Sequence, residues 1–524
     1  HRIYRRSGLL PPLMASKRLV NSIVSVPAPV GGWNARDSFA EMGPTDAVTL
    51  LNYFPRTTAV ELRFGYTRWA TGITGQVETL INYSGGSTNK FFAVNAAGSI
   101  FNITTTGAVG SADVTGLNSG RFQYVNVATT GGNCIMAVSG LDKAQFYTGS
   151  AWAKDGDGSP YNITGVDSTN CLGITLFKNR VWLIQKNTLK AWYLPTGAIG
   201  GAATLLAFST FCPHGGGLTF VGTWTIDGGY GMDDYLVFGT SNGDVLVYGG
   251  TDPASASTFA LRGVWWIGSP IGNRAITKWA GDLLIISQDG VYALSSALQS
   301  SRVNPKVALS NKIQQAVSDA VTSYGTIFGW QVIPFPQENM LMVNVPVQVG
   351  AQEQYVMNSI TGAWGQFQGY NANCFELFGD LLYFGANGFV GRAWNTNSDA
   401  GSAISGFINQ AFGHLGASGY RKRAVSMRPL FLTNGSPSLL GGINWDYNMA
   451  QPTSALSTSS STFANWDSGV WGSGIWGGGL NASYAIQGVA GSGWTGAPVF
   501  KSNTQGMQLQ LVSTDVAVEL GGFL

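Results

Sequence analysis

Three histidines, His1, His214 and His414, are the chain's whole supply of imidazole, and none stands in an H-E-x-x-H or comparable ligand spacing. Metal-assisted hydrolysis therefore lacks its sequence signature. There is no G-x-x-x-x-G-K-[ST] phosphate loop and no G-x-S-x-G nucleophile elbow, so nucleotide-driven and α/β-hydrolase chemistry lack theirs. Asp233, Asp234 and Glu353 are carboxylates of the kind a glycosidase uses, but surface turns account for them as well. His214-Gly215-Gly216-Gly217 resembles an esterase oxyanion loop on paper and, without a nucleophile, reads as a connection between strands. Cys134, Cys171, Cys212 and Cys374 are scattered, with no C-x-x-C pair. Buried free thiols in a reducing compartment are expected of them. No catalytic residue, cofactor site or metal site is predicted.

Two clusters are suited to contact instead of catalysis. Trp466, Trp471 and Trp476 recur every five residues in a glycine-rich run. Tryptophan offers a large contact area at small entropy loss, and glycine lets backbones approach, so this strip is a candidate subunit interface, with a loop packed on its own domain as the equal alternative and sugar stacking as a lesser one. Arg421, Lys422 and Arg423 follow Tyr420 as the one dense basic cluster past the N-terminus. They are candidates for touching DNA phosphates or a neighbour's carboxylates.

The elements that must position these groups read as strands. Four segments show an apolar run, a glycine turn and a second apolar run, which is the pattern of a β-hairpin. They are Phe91 to Phe101 around Gly98, Tyr235 to Tyr248 around Asn242-Gly243, Leu283 to Leu294 around Asp289-Gly290, and Leu381 to Val390 around Asn387-Gly388. Weaker copies run from Cys134 to Tyr147, Val181 to Tyr193 and Leu341 to Met357. Their starts are spaced roughly 40 to 57 residues apart, the interval of a four-stranded propeller blade. Two T-G-x-W-like turns, Thr148-Gly149-Ser150-Ala151-Trp152 and Thr361-Gly362-Ala363-Trp364, supply tryptophans suited to packing between blades. One helix is predicted near residues 305–322, where Ile313, Ala316, Val317, Ala320 and Val321 form a stripe behind a possible Ser310 N-cap.

The expected architecture is all-β: a β-propeller of six or seven blades over residues 75–400, plus a β platform built from both chain ends. That platform draws on residues 26–74 and 401–524, with strands at Met427 to Leu432, Gly442 to Tyr447 and Met507 to Val512. Residues 1–25 form an extension without assigned function, and Met14 reads as a plausible natural start.

Composition points the same way. Of the 524 residues 72 are glycine, yet 44% are apolar and 12% aromatic, so the chain packs a core. Charged residues are only 11%, against about 25% in ordinary soluble domains, which fits a surface partly covered by neighbours. The net charge of +2 gives no global field for gripping nucleic acid or an anionic membrane. The sequence shows neither a bilayer-length apolar stretch nor a secretory signal.

The N-terminal text from Pro27 to Ser38, with Pro44 to Val48, Asn52 to Pro55 and Glu61 to Tyr66, resembles the opening of tail proteins of short-tailed phages. The closing text, Gly506 to Leu511, Ser513 to Val516 and Glu519 to Gly522, resembles their end. The family is the nozzle, or tail tubular protein B. The resemblance implies a homohexameric ring with a propeller in each subunit, assembled in the host bacterial cytoplasm into the virion tail. It further implies docking beneath a tail adaptor ring, nearby fibres or spikes, and transient contact with double-stranded DNA during ejection. The alternatives are a receptor- or glycan-binding propeller and a glycan-cleaving one.

Overall fold

The structure, a computed structural model, describes residues 22–86, 88–227, 232–279, 281–297, 304–458, 479–484 and 486–523. The seven hairpins are the middle strands of seven blades. Blade two is Gln123–Thr129, Gly132–Val138, Gln145–Tyr147 and Trp152–Lys154, an antiparallel meander. Blade three begins at Cys171–Phe177, blade four at Leu218–Asp227, blade five at Ile276–Trp279 and blade six at Gln331–Phe335. Consecutive blades touch through these first strands, which stand innermost.

The ring closes on one long strand, Gly65–Tyr83. Its first half pairs with Asn387–Thr396 as the outer strand of blade seven. Its second half pairs with Lys90–Asn95 as the inner strand of blade one. Thus N-terminal chain completes the last blade, and the sheet needs no free edge at the seam.

Burial on both faces explains the packing. Each central strand, such as Val181 to Ile184 or Leu283 to Ile286, is apolar on both faces because it is sandwiched between blades. Aromatic pairs span the joins: Phe91 stacks on Phe378 of blade seven at 4.7 Å, and Trp152 meets Phe92 of blade one at 5.1 Å. The Asn242-Gly243 turn needs its glycine, since Gly243 has φ +90° and a Cβ there would stand 2.0 Å from the Ile267 carbonyl oxygen.

The helix occupies Gln314–Tyr324, between blades five and six, and begins later than the sequence pattern suggests. A 3-10 turn, Asn311–Ile313, precedes it, and Ser310 makes no side-chain cap. The Ser310 hydroxyl instead accepts from the Val291 N–H at 3.0 Å. Ile313, Val317 and Ala320 are buried against both adjoining blades, whereas Ala316 and Val321 are half-buried at the margin of that core.

Outside the propeller, two sheets face each other. One is eight-stranded and contains Ser22–Pro27, Tyr53–Pro55, Val60–Leu62, Tyr420–Thr433 and Leu509–Phe523. The other contains Asp46–Leu51, Ile404–Gln410, Gly496–Thr504 and Ser438–Trp445, and it runs on into blade six where Leu51 lies beside Gln366. Their shared core holds Leu50, Tyr53, Met427, Phe431, Phe500, Leu511 and Val516. The platform is therefore made from the N- and C-terminal segments together.

Candidate assembly surface and axial cavity

Tyr420–Thr433 shows how a strand sorts its charges. Side chains alternate between faces, so Arg421 and Arg423 point outward while Lys422 points into the platform with 1% of its surface exposed. A register shift between Ala424 and Ser426 then moves the inward phase to Met427, Pro429 and Phe431. Lys422 Nζ donates to the carbonyls of Tyr420 and Trp494, both at 2.8 Å, and burial pushes its pKa below the ordinary lysine value. It is thus a satisfied interior lysine, and of the three basic candidates only Arg421 and Arg423 are exposed. Arg421 stacks over the Trp494 ring at 5.5 Å, and Arg423 lies opposite Glu519. Trp466, Trp471 and Trp476 lie outside the described residues. Along the same eight-stranded sheet Ile23, Val425, Tyr484 and Ile486 are exposed.

A buried guanidinium is among the ties between platform and propeller. Arg63 forks onto Asp399 at 2.6 and 2.9 Å, donates to the Gln368 carbonyl and Asn52 Oδ1, and stacks over Tyr370 at 4.5 Å. It joins the platform strand ending at Leu62, the end of blade six and the exit of blade seven. Gly65 beside it has no room for a side chain, because a Cβ would sit 2.0 Å from the Ser398 carbonyl oxygen.

The seven inner strands enclose an axial cavity of about 550 Å³. Arg274 reaches from blade five across its neck and donates to the Glu78 and Phe122 carbonyls and to Thr79 Oγ1. Phe328 lies under both Arg274 and Arg121, at 5.4 and 4.1 Å. Deeper in, Glu376 accepts from the Leu377 N–H, with the Tyr124 hydroxyl against it. Burial is the main cause that pushes the Glu376 carboxyl up to about 7. Sequence reading missed this cluster. A glutamate inside the otherwise apolar strand Cys374–Phe378 is the signal that could have found it.

The carboxylates considered for glycan chemistry are spent elsewhere. Asp234 pairs with Lys178 at 3.0 Å, and Glu353 accepts from Gln366 and Gln368. The side chain of Asp233 lies outside the described residues. His214 shares a 2.6 Å hydrogen bond with buried Asp244 and stacks on Trp266, and the Gly217 N–H donates to Ser241. That loop fastens blade three to blade four.

All four cysteines are free and buried. Among the described residues no cluster of potential ligands could hold a metal ion, and no helix is long and apolar enough to cross a membrane.

The sequence matches no protein-family profile and no curated protein. Among solved structures the fold is similar to BBS1N in complex with ARL6DN, at 10% identity and TM-score 0.39 over 63% of this chain and 97% of that one. It is similar also to YCF48 bound to D1 peptide, at 10% identity and TM-score 0.36 over 64% and 95%. A third is the Myceliophteria thermophila Cps50 (Swd1) beta-propeller domain, at 13% identity and TM-score 0.37 over 63% and 99%. The chain's own strand pairing makes it an all-β protein with a seven-bladed β-propeller and a second, two-sheet platform made by its two ends.

Proposed function

We propose that this chain is a non-enzymatic structural subunit of a short phage tail, a nozzle-type protein that forms a ring of six and conducts genomic DNA into the host. The observation that carries the reading is the nozzle-like text at both chain ends. Those residues build the platform and the joint to the propeller, which gives the text a structural purpose. A chain with only 11% charged residues supports side-by-side contact with neighbours, and heterologous contacts that close by rotation make rings. The subunit's own axis is too narrow for the cargo: a cavity of about 550 Å³ crossed by Arg274 cannot admit a duplex whose major groove alone is about 12 Å wide. In this reading the conduit lies between subunits, and Arg421 and Arg423 face a neighbouring subunit or passing phosphates. The tail adaptor ring and the fibres or spikes are the other partners.

Native mass measurement and electron microscopy of the purified chain, alone and mixed with its adaptor ring, test this. Six copies around a lumen as wide as duplex DNA are expected, and Trp471→Ala should weaken the ring. A chain that stays monomeric in both samples refutes the reading. Intact oligomers of Trp471→Ala that have lost glycan binding point to the receptor-binding alternative.

A further inference from the structure

The axial cavity carries charge that ring assembly does not use. A guanidinium has five N–H donors, and three hydrogen bonds from Arg274 go to Glu78 O at 2.9 Å, Thr79 Oγ1 at 2.6 Å and Phe122 O at 3.3 Å. Two donors remain. Among the described residues no carboxylate forms an ion pair with Arg274: Glu78 pairs with Arg121 at 3.1 Å. Glu376 is occupied by the Leu377 N–H and Tyr124. Arg274 is half-buried, and Glu376 and Glu78 act on its charge without pairing with it, so its open donors are free to meet a further acceptor. Gln123 and Asn273 line the same neck, Thr277 and Lys278 line the wall, and among the described residues none of these side chains has a hydrogen-bond partner. The lining is thus rich in donors and cations, with one carboxyl that burial keeps neutral below about pH 7.

We propose that the axial cavity binds a small organic oxyanion, a carboxylate or phosphate ester, held by the two remaining N–H groups of Arg274 beside the amides of Gln123 and Asn273. The volume of about 550 Å³ lies within the range of small-molecule sites, about 300–1,000 Å³, and exceeds what a bare ion fills. The open donors are Nε–H and one Nη1–H, since Thr79 and Phe122 take both Nη2 hydrogens, so Arg274 offers single charge-assisted hydrogen bonds and not a fork. Three groups face Glu376: Tyr124 from blade two, Arg274 from blade five and Cys374 on its own strand. Ionisation of Glu376 as pH rises past 7 sets a second negative charge against the ligand and weakens its hold. The proposal goes beyond the nozzle reading and does not depend on it.

Calorimetric titration of the full chain with inorganic phosphate and with citrate, at ionic strength matched by sodium chloride, tests it. Saturable one-to-one binding at pH 6 by either probe is expected, citrate alone indicating a polycarboxylate and phosphate a phosphate ester. Arg274→Gln should weaken binding about tenfold or more, the loss of a charge-assisted hydrogen bond. Phosphate and citrate themselves ionise between about pH 6 and pH 8, so the two proteins are compared: wild type should lose more affinity, or gain less, from pH 6 to pH 8 than Glu376→Gln does. If Arg274→Gln does not fold, the Glu376→Gln comparison decides. The proposal is overturned by binding no greater than in the chloride control, by undiminished affinity in folded Arg274→Gln, or by a Glu376→Gln pH profile identical to wild type.

Discussion

Replacing Arg63 by Met tests how the platform holds the propeller. The substitution keeps an apolar stem of similar length and removes the charged fork. Asp399, whose side chain is 15% exposed, then loses its bidentate partner, and the Gln368 carbonyl loses two donors. Breaking a buried pair by removing one partner costs about 3–5 kcal/mol. Asp399 keeps some contact with water, so the lower end, about 3 kcal/mol, is expected. That is a large part of a typical total of about 5–15 kcal/mol. Urea denaturation followed by tryptophan fluorescence measures the loss, and limited proteolysis near Ser398 reports opening of the joint. Asp399→Asn and the double variant complete a cycle, in which the pair should be less destabilised together than the sum of singles by about 1–3 kcal/mol. A loss under about 1 kcal/mol, or strict additivity, would falsify the account of Arg63 as the joint.

Gly65→Ala should lower the melting temperature measurably, by overpacking worth about 1–3 kcal/mol, since its Cβ would meet backbone that cannot swing aside; an unchanged melting curve contradicts this. Burial pushes Cys134 and Cys212 up to about 11 and Cys171 and Cys374 up to about 12, so iodoacetamide at pH 8 should label none in the native protein and four in guanidinium. Rapid native labelling argues against that burial. The folded pKa of Glu376 stands above its unfolded value, so the contribution is fully present below the unfolded carboxyl range and lost as pH rises through about 7. Glu376→Gln should therefore be more stable than wild type above pH 7, by roughly 1–2 kcal/mol after allowing for cavity water, and its melting temperature should vary less between pH 5 and 8. Equal pH dependence in both proteins counts against it.

The blades were legible because their central strands are buried on both faces. An apolar run, a turn glycine and another run appear wherever two middle strands cross between neighbours, as at Tyr235 to Tyr248. All seven such segments are blade centres. The seam was less legible: a single strand serving two blades, Gly65–Tyr83, alternates irregularly because its halves have different neighbours. Lys422 looked like part of a basic surface because the sequence gives charge without direction, and the bulge near Val425 sets which residues turn inward. The axial cluster was hidden for a related reason. Arg274 and Glu376 are distant in sequence, and only ring closure brings them to one cavity.

The terminal segments singled out in the sequence fall at positions where several elements meet, whereas the blades are legible only as a pattern. A middle strand needs a continuous apolar run, and many residues satisfy that. A junction asks for more. Gly31 and Gly32 leave no space for a side chain, a Cβ at Gly32 standing 2.5 Å from the Trp364 carbonyl oxygen of blade six. Asp46 accepts from Asn34 and pairs with Lys312 at 2.5 Å, which fastens the N-terminal loop to the segment before the inter-blade helix. Glu61 pairs with Arg56, which pairs in turn with Glu338 of the turn leading into blade six's second strand. Leu509–Phe523, the closing text, runs between Ser22–Pro27 and Tyr420–Thr433. Such sites fix residue identity by charge, steric limit and partner at once. A substitution there loosens the coupling between platform and propeller, whereas an apolar exchange within a blade centre is absorbed by local packing.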